Sequence, residues 1–98
     1  MSRAPLSEDE IRAAIAAGLP GWAHEDDALR KTFRFASHRE AISFLVRLSF
    51  EAEERDHHAE IRNVYATVEL VLRTHDAGNK VTAKDLELAR AIESFSWV

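Results

Sequence analysis

The chain has no cysteine, so it can form no disulfide, no thiolate nucleophile and no thiolate-held metal site. That absence fits a reducing compartment, and a cytoplasmic location is the expectation. Glycine occurs three times and proline twice, too seldom for a collagen-like or linker-rich chain. No apolar run approaches the roughly 20 residues of a membrane-spanning helix. Met1-Ser2-Arg3-Ala4-Pro5 soon turns acidic and does not resemble a signal peptide. Basic residues are outnumbered, 13 against 17, for a formal net charge of -4. This argues against a nucleic-acid role driven by a basic surface, while leaving small ligands open. With 98 residues, one domain over 1–98 is expected. A domain of this size holds one sheet with a layer of helices and little more.

The residues that are present pattern clearly. Ser7-Glu8-Asp9-Glu10 reads as a capping box, with Ser7 as N-cap and Glu10 at the third helical position. Ile11, Ala14 and Ile15 continue a helical stripe, and Gly18 and Pro20 end it, which predicts a helix over about 8–17. Glu25-Asp26-Asp27 reads as a turn. Beyond it, Leu29, Phe33 and Phe35 alternate with Arg30, Thr32 and Arg34, the two-residue period of a strand. Lys31 is the odd member on the apolar side, and the segment around Trp22 is the expected hairpin partner. Ser37 caps a long helix over 38–54, with Ala41, Leu45, Leu48 and Ala52 on its apolar stripe and Ile42 and Ser49 beside it. From Glu60 to Arg73 the chain is β-like, either one strand or two broken near Tyr65. Asp76-Ala77-Gly78-Asn79 is a turn cluster. Thr82 then caps a last helix that turns Leu88, Ile92 and Phe95 inward, with Asp85 where a capping-box acid sits. No full βαβ repeat occurs. The prediction is therefore α+β, an antiparallel sheet covered on one face by helices.

Histidine is the side chain best suited to exchange protons near neutral pH, and there are five. His24, in a charged loop, and His38, in the first turn of the long helix, read as surface residues. His57 and His58 directly follow that helix, in Glu53-Glu54-Arg55-Asp56-His57-His58. His75 ends the β-like run. A helix end and a strand end can share one rim of an α+β domain, where three imidazoles can act as acid, base and substrate clamp. Ordinary solvated loop histidines are the plain alternative. A zinc site using Asp76 or Asp85 is another, although the spacing matches no metal signature and adjacent residues seldom aim at one ion. Glu53, one turn before His57, is positioned to orient that imidazole, unless it is a surface acid paired to Arg47 or Arg55. Asp85 reads first as a helix cap, and Trp22 as core or hairpin packing.

The ordered set Glu53, His57-His58-Ala59, Tyr65, Thr74-His75-Asp76 and Asp85 resembles the signature of the pterin-4a-carbinolamine dehydratase family. Gly21-Trp22, Phe33-Arg34-Phe35, Ala41 to Phe44, Asn63-Val64-Tyr65 and Asp85-Leu86-Glu87-Leu88-Ala89 extend the likeness over about Leu19 to Ile92. Three departures stand out. Ala59 replaces the usual proline, which would stiffen the loop. Gly78-Asn79-Lys80-Val81-Thr82 is a longer, more polar turn than the family's. Ile61 stands where an aromatic is common.

The resemblance implies a four-stranded antiparallel sheet with three helices on one side. It implies homodimers or homotetramers built through the sheet edge or helices. The reaction it implies is loss of water from 4a-hydroxytetrahydropterin to give quinonoid dihydropterin, which needs no metal, redox cofactor or covalent nucleophile. His57, His58 and His75 would be the catalytic set, with His57 and His75 exchanging protons and His58 also holding the pterin. Asp56, Arg73, Thr74 and Asp76 would shape the substrate pocket. Glu53, Asp85 and Trp22 would support it. The rival the family suggests is a binding or assembly protein that keeps the fold without the reaction.

Overall fold

The structure is a computed structural model and describes residues 4–98. The first three residues of the domain expected over 1–98, and that part of the N-terminal reading, lie outside the described residues. The elements run α1 (Glu8–Gly18), β1 (Ala23–Glu25), β2 (Ala28–Arg34), α2 (His38–Glu54), β3 (Glu60–Val64), β4 (Thr67–Leu72), a 3-10 turn (His75–Ala77) and α3 (Ala83–Phe95). The four strands form one sheet in the order β1-β2-β4-β3, and each neighbouring pair is antiparallel.

The sheet register sorts the side chains into two faces. Leu29 pairs with Leu72, Lys31 with Leu70 and Phe33 with Val68. The apolar members of this set are buried in one cluster with Ile11 of α1, Ala41, Phe44 and Leu48 of α2, and Leu88, Ala89 and Ile92 of α3. The helices thus cover a single face. The other face presents Arg30, Thr32 and Arg34 beside Val71, Glu69 and Thr67. Lys31 faces the core side, yet its ammonium bonds Glu93 and the Pro20 carbonyl, both at 2.7 Å. That pairing explains a lysine in an otherwise apolar row.

All three expected caps form. Ser7–Glu10 and Thr82–Asp85 make reciprocal capping boxes, and the Ser37 hydroxyl accepts from the Glu40 amide. Two expectations about α2 need correction. Phe44, left off the apolar stripe, is fully buried and stacks within 5.0 Å of Phe33 and Phe35, whereas Leu45 is only half-buried. Ile42, set beside the stripe, is substantially exposed. The stripe runs 41, 44, 48, 52, spacings of three and four that keep one face inward.

The 60–73 segment is two strands, joined by a tight turn at Tyr65-Ala66. Tyr65 adopts a positive φ of 52°, uncommon for a bulky residue. Its carbonyl accepts from Nδ2 of the Asn63 side chain and from Nδ1 of His38, at 3.1 and 2.9 Å. His38 is therefore exposed but engaged, steadying the hairpin turn.

Candidate active site

Helix α2 ends in a full Schellman arrangement. The His57 amide donates to the Ala52 carbonyl at 3.0 Å, and the Asp56 amide donates to the Glu53 carbonyl. Asp56 supplies the left-handed residue, with φ 49°, where glycine is the usual choice. The reversal sends the two histidines in different directions. His57 turns inward and retains 9% of its exposure, whereas His58 keeps 66% of its side-chain exposure. One turn earlier, hydrogen bonds from Arg47 and then Arg55 hold the Glu51 carboxyl below the usual carboxylate range.

Each histidine of the pair meets a different carboxylate. His57 Nε2 lies 2.5 Å from Oδ1 of Asp85, which is fully buried. The second oxygen of Asp85 accepts from the Thr82 amide at 2.9 Å and from the Thr74 hydroxyl at 2.8 Å. His58 Nε2 lies 3.0 Å from Glu53, a mostly exposed carboxylate. The expectation that Glu53 orients His57 is thereby corrected: Glu53 meets His58, and Asp85 serves His57 while also capping α3. The outward turn after α2 carries His58 back over the last helical turn, where Glu53 sits.

His75 comes from the opposite direction, beyond the end of β4. The Thr74 amide donates to the Lys80 carbonyl at 2.9 Å, and the Asn79 amide donates to the Thr74 carbonyl at 3.0 Å. Left-handed Gly78 and Asn79, with φ 73° and 61°, close the loop between them. His75 opens the 3-10 turn inside this clamp and is exposed. Arg73 grips Glu60 of β3 through a forked pair at 2.7 and 3.4 Å. Ala59 packs against the core at the entrance to β3.

These segments enclose a cavity of about 390 Å³ lined by His57, His58 and His75 with Asp56, Arg73, Thr74 and Asp76, completed by Ala59, Glu60 and Lys84. Its size suits a small organic molecule. Two larger hollows, of about 410 and 510 Å³, lie elsewhere, and a smaller one of about 340 Å³ shares His57 and Lys84 with the first-named cavity. The first has His24 among acidic residues, and the second lies on the open sheet face and has no histidine. Three imidazoles from two separate segments meet only in the first-named cavity, among the described hollows. Glu53 and Asp85 stand behind it, each through a histidine. Trp22 does not line it. Its indole packs edge-on to Phe33 and donates to Glu93 at 3.0 Å, a core position toward the last turns of α3. Glu60, Lys84 and Thr82 were not singled out for the site; only the capping pattern pointed to Thr82. Among the described residues, no group of three or more His, Asp or Glu side chains is arranged to hold a metal ion. No helix among them is long and apolar enough to cross a membrane.

A four-stranded antiparallel sheet under three helices, with a histidine-lined pocket between a helix end and a strand end, defines a small α+β domain. A family model described as pterin 4 alpha carbinolamine dehydratase matches residues 4–95, and the chain belongs to that family. A relative from Opitutus terrae, provisionally named pterin-4-alpha-carbinolamine dehydratase, is 64% identical over 93 residues, covering 95% of each chain. One from Bradyrhizobium sp. (strain ORS 278) with the same provisional name is 51% identical over 89 residues, covering 89% of this chain and 88% of its own. A crystal structure described as a transcriptional coactivator/pterin dehydratase from Brucella melitensis superposes with a TM-score of 0.86 at 35% identity, covering 92% of this chain and 96% of its own.

Proposed function

We propose that this chain, as a single domain over 1–98, is a hydro-lyase acting in the cytoplasm. It removes water from 4a-hydroxytetrahydrobiopterin or a close pterin and returns quinonoid dihydropterin for tetrahydrobiopterin recycling. One observation carries the reading: His57, His58 and His75 line one small cavity in a chain of this family. The chemistry needs two proton movements. The C4a hydroxyl takes a proton and leaves as water. N5 gives up its proton, and the C4a–N5 bond becomes double. Positioned imidazoles do both, and each such group contributes about 10²- to 10⁴-fold. His57 and His75 form the acid–base pair. His58, with Asp56, Arg73, Thr74 and Asp76, holds the ring. The reaction balances without a metal or redox partner.

The test is the decay of freshly made 4a-hydroxytetrahydropterin, followed by absorbance with and without the protein. Acceleration that disappears in His57→Ala and His75→Ala supports the reading. An unchanged rate in both variants sinks the catalytic assignment.

Self-association belongs to the same proposal. Ile42, Val46 and Phe50 recur every four residues along α2, and Phe50 is 69% exposed. Such a ridge suits a homodimer or homotetramer. It also favours a second reading, a non-catalytic binding protein with this fold. Sedimentation of wild type and Phe50→Asp addresses both. A wild-type oligomer that dissociates on substitution supports self-association. A wild-type monomer that binds no pterin in calorimetry supports the second reading.

A further inference from the structure

The histidine-lined cavity has a neighbour. A hollow of about 340 Å³ is lined by Glu54, Arg55, His57, Lys84 and Glu87, and the two spaces share His57 and Lys84. Lys84 is the second residue of α3, after the Thr82 cap and Ala83. A cation there sits at the positive end of the helix dipole and gains nothing for the helix. Lys84 is half-buried, and its ammonium has no hydrogen-bond or ion-pair partner among the described residues. Arg55 Nη1 is fixed by the Glu51 carbonyl and carboxylate, at 3.1 and 2.8 Å. Its Nε has no hydrogen-bond partner, and the Glu87 carboxylate stands 3.8 Å from it. The carboxylates of Glu54 and Glu87 accept no hydrogen bond among the described residues. The hollow thus presents two cations and two carboxylates. An anionic group entering it would meet Glu54 and Glu87, and a cationic group would meet Lys84 and Arg55. An apolar group would strip water from all four charges. A neutral group with several hydroxyls suits both signs, because each hydroxyl donates one proton and also accepts.

We propose that this hollow is a subsite for a neutral polyhydroxyl side chain on the substrate, with Lys84 as the residue that binds it. The inference rests on the pterin reading above and adds which pterins are preferred. The placement follows from the ring chemistry. The bonds that change join C4a to its hydroxyl and to N5, and C6 is the next ring atom after N5. A substituent on C6 therefore leaves the ring on the edge where the acid–base imidazoles work. With N5 or the C4a hydroxyl at His57, that substituent starts beside the wall that the two spaces share. A chain of a few hydroxylated carbons fits a space of about 340 Å³. Lys84 donates to its hydroxyl oxygens, and Glu54 and Glu87 accept from its hydroxyls.

The test is calorimetric binding of two stable 7,8-dihydropterins that differ only at C6, one with a trihydroxypropyl chain and one with a methyl group. Wild type should bind the triol about tenfold more tightly, the scale of one net hydrogen bond to a charged group. Lys84→Met should bring the ratio of the two affinities close to one. Lys84→Arg keeps a cationic donor and should retain most of the preference, which a loss of bulk alone would not explain. The ratio is taken within one preparation, so a partly folded sample does not alter it. Equal affinities in wild type, or a preference that survives Lys84→Met, overturn the proposal. Tighter binding of the phosphate monoester of the triol than of the triol itself overturns the choice of a neutral group. Equal affinities in a protein that still dehydrates the pterin sink the subsite alone. A protein that binds neither ligand and dehydrates neither carbinolamine sinks the functional reading, and the subsite with it.

Discussion

His57 Nε2 and Asp85 Oδ1 lie 2.5 Å apart, a buried contact that joins the exit of α2 to the first turn of α3. The carboxylate receives three donors there: the imidazole, the Thr74 hydroxyl and the Thr82 amide. Asp85→Asn keeps the shape but can offer only one acceptor oxygen. If that oxygen stays with the cap, the new amide faces His57 and turns Nε2 into an acceptor. Nδ1, the other ring nitrogen, then carries the proton of the neutral imidazole. The expected outcome is a dehydration rate lower by about 10²-fold or more, the scale seen when a base is held in the wrong tautomer. Stability should fall by about 1–3 kcal/mol, since a buried group loses a matched partner. Stopped-flow rates and heat denaturation of the same preparation separate the two effects.

His75 stands apart from that buried network, exposed at the mouth of the cavity. His75→Ala should therefore cost about 10²-fold in rate with little change in stability. His24→Ala serves as the control. It lines a different hollow, with Asp26, Asp27 and Lys80, and its removal should leave the rate unchanged. Equal losses from both substitutions would mean that the assay reports general damage rather than the site.

Much of this site could be read in the chain before its fold was known, because its parts follow local rules. The caps at Ser7, Ser37 and Thr82 follow from short-range hydrogen bonding, and the ends of α2 and β4 place the histidines at one rim. The partners of those histidines could not be read. Helical spacing set Glu53 under His57, but left-handed Asp56 reverses the chain, and no glycine announced that turn. The break at Tyr65 was ambiguous for the same reason, since its positive φ is imposed by hydrogen bonds to its carbonyl from His38 and Asn63. The Thr74–Thr82 contact spans a loop whose closure depends on Gly78 and Asn79. Phe44 was missed because its burial depends on which face of α2 meets the sheet, not on period alone.

Trp22 illustrates a resemblance whose residue has a different task here. Its indole N–H and the Lys31 ammonium share one oxygen of Glu93, tying the segment before β1 and strand β2 to α3. Trp22→Phe keeps a ring against Phe33 but removes the donor and leaves a gap. Stability should fall by about 1–3 kcal/mol. For a domain of this size each kcal/mol lowers Tm by about 4–8 °C. Scanning calorimetry checks the shift. A loss of kcat out of proportion to the folded fraction would return Trp22 to the site.

Glu10 makes the start of α1 sensitive to acid. Hydrogen bonds from the backbone and then the side chain of Ser7 hold its carboxyl below the usual value. A carboxyl lowered on folding stabilises the folded state above its unfolded pKa, and that contribution is lost as pH falls through the lowered, folded value. The capping box should therefore loosen as acid protonates Glu10, at pH values below the ordinary carboxylate range. The Leu6 amide, held by the Val81 carbonyl at 2.9 Å, offers a local reporter. Amide exchange at residues 6–11, corrected for intrinsic rates, should speed up in that range in wild type. In Glu10→Gln the dependence should flatten, because a neutral side chain accepts from Ser7 equally at every pH. Identical profiles in the two proteins would place the acid sensitivity in another carboxylate.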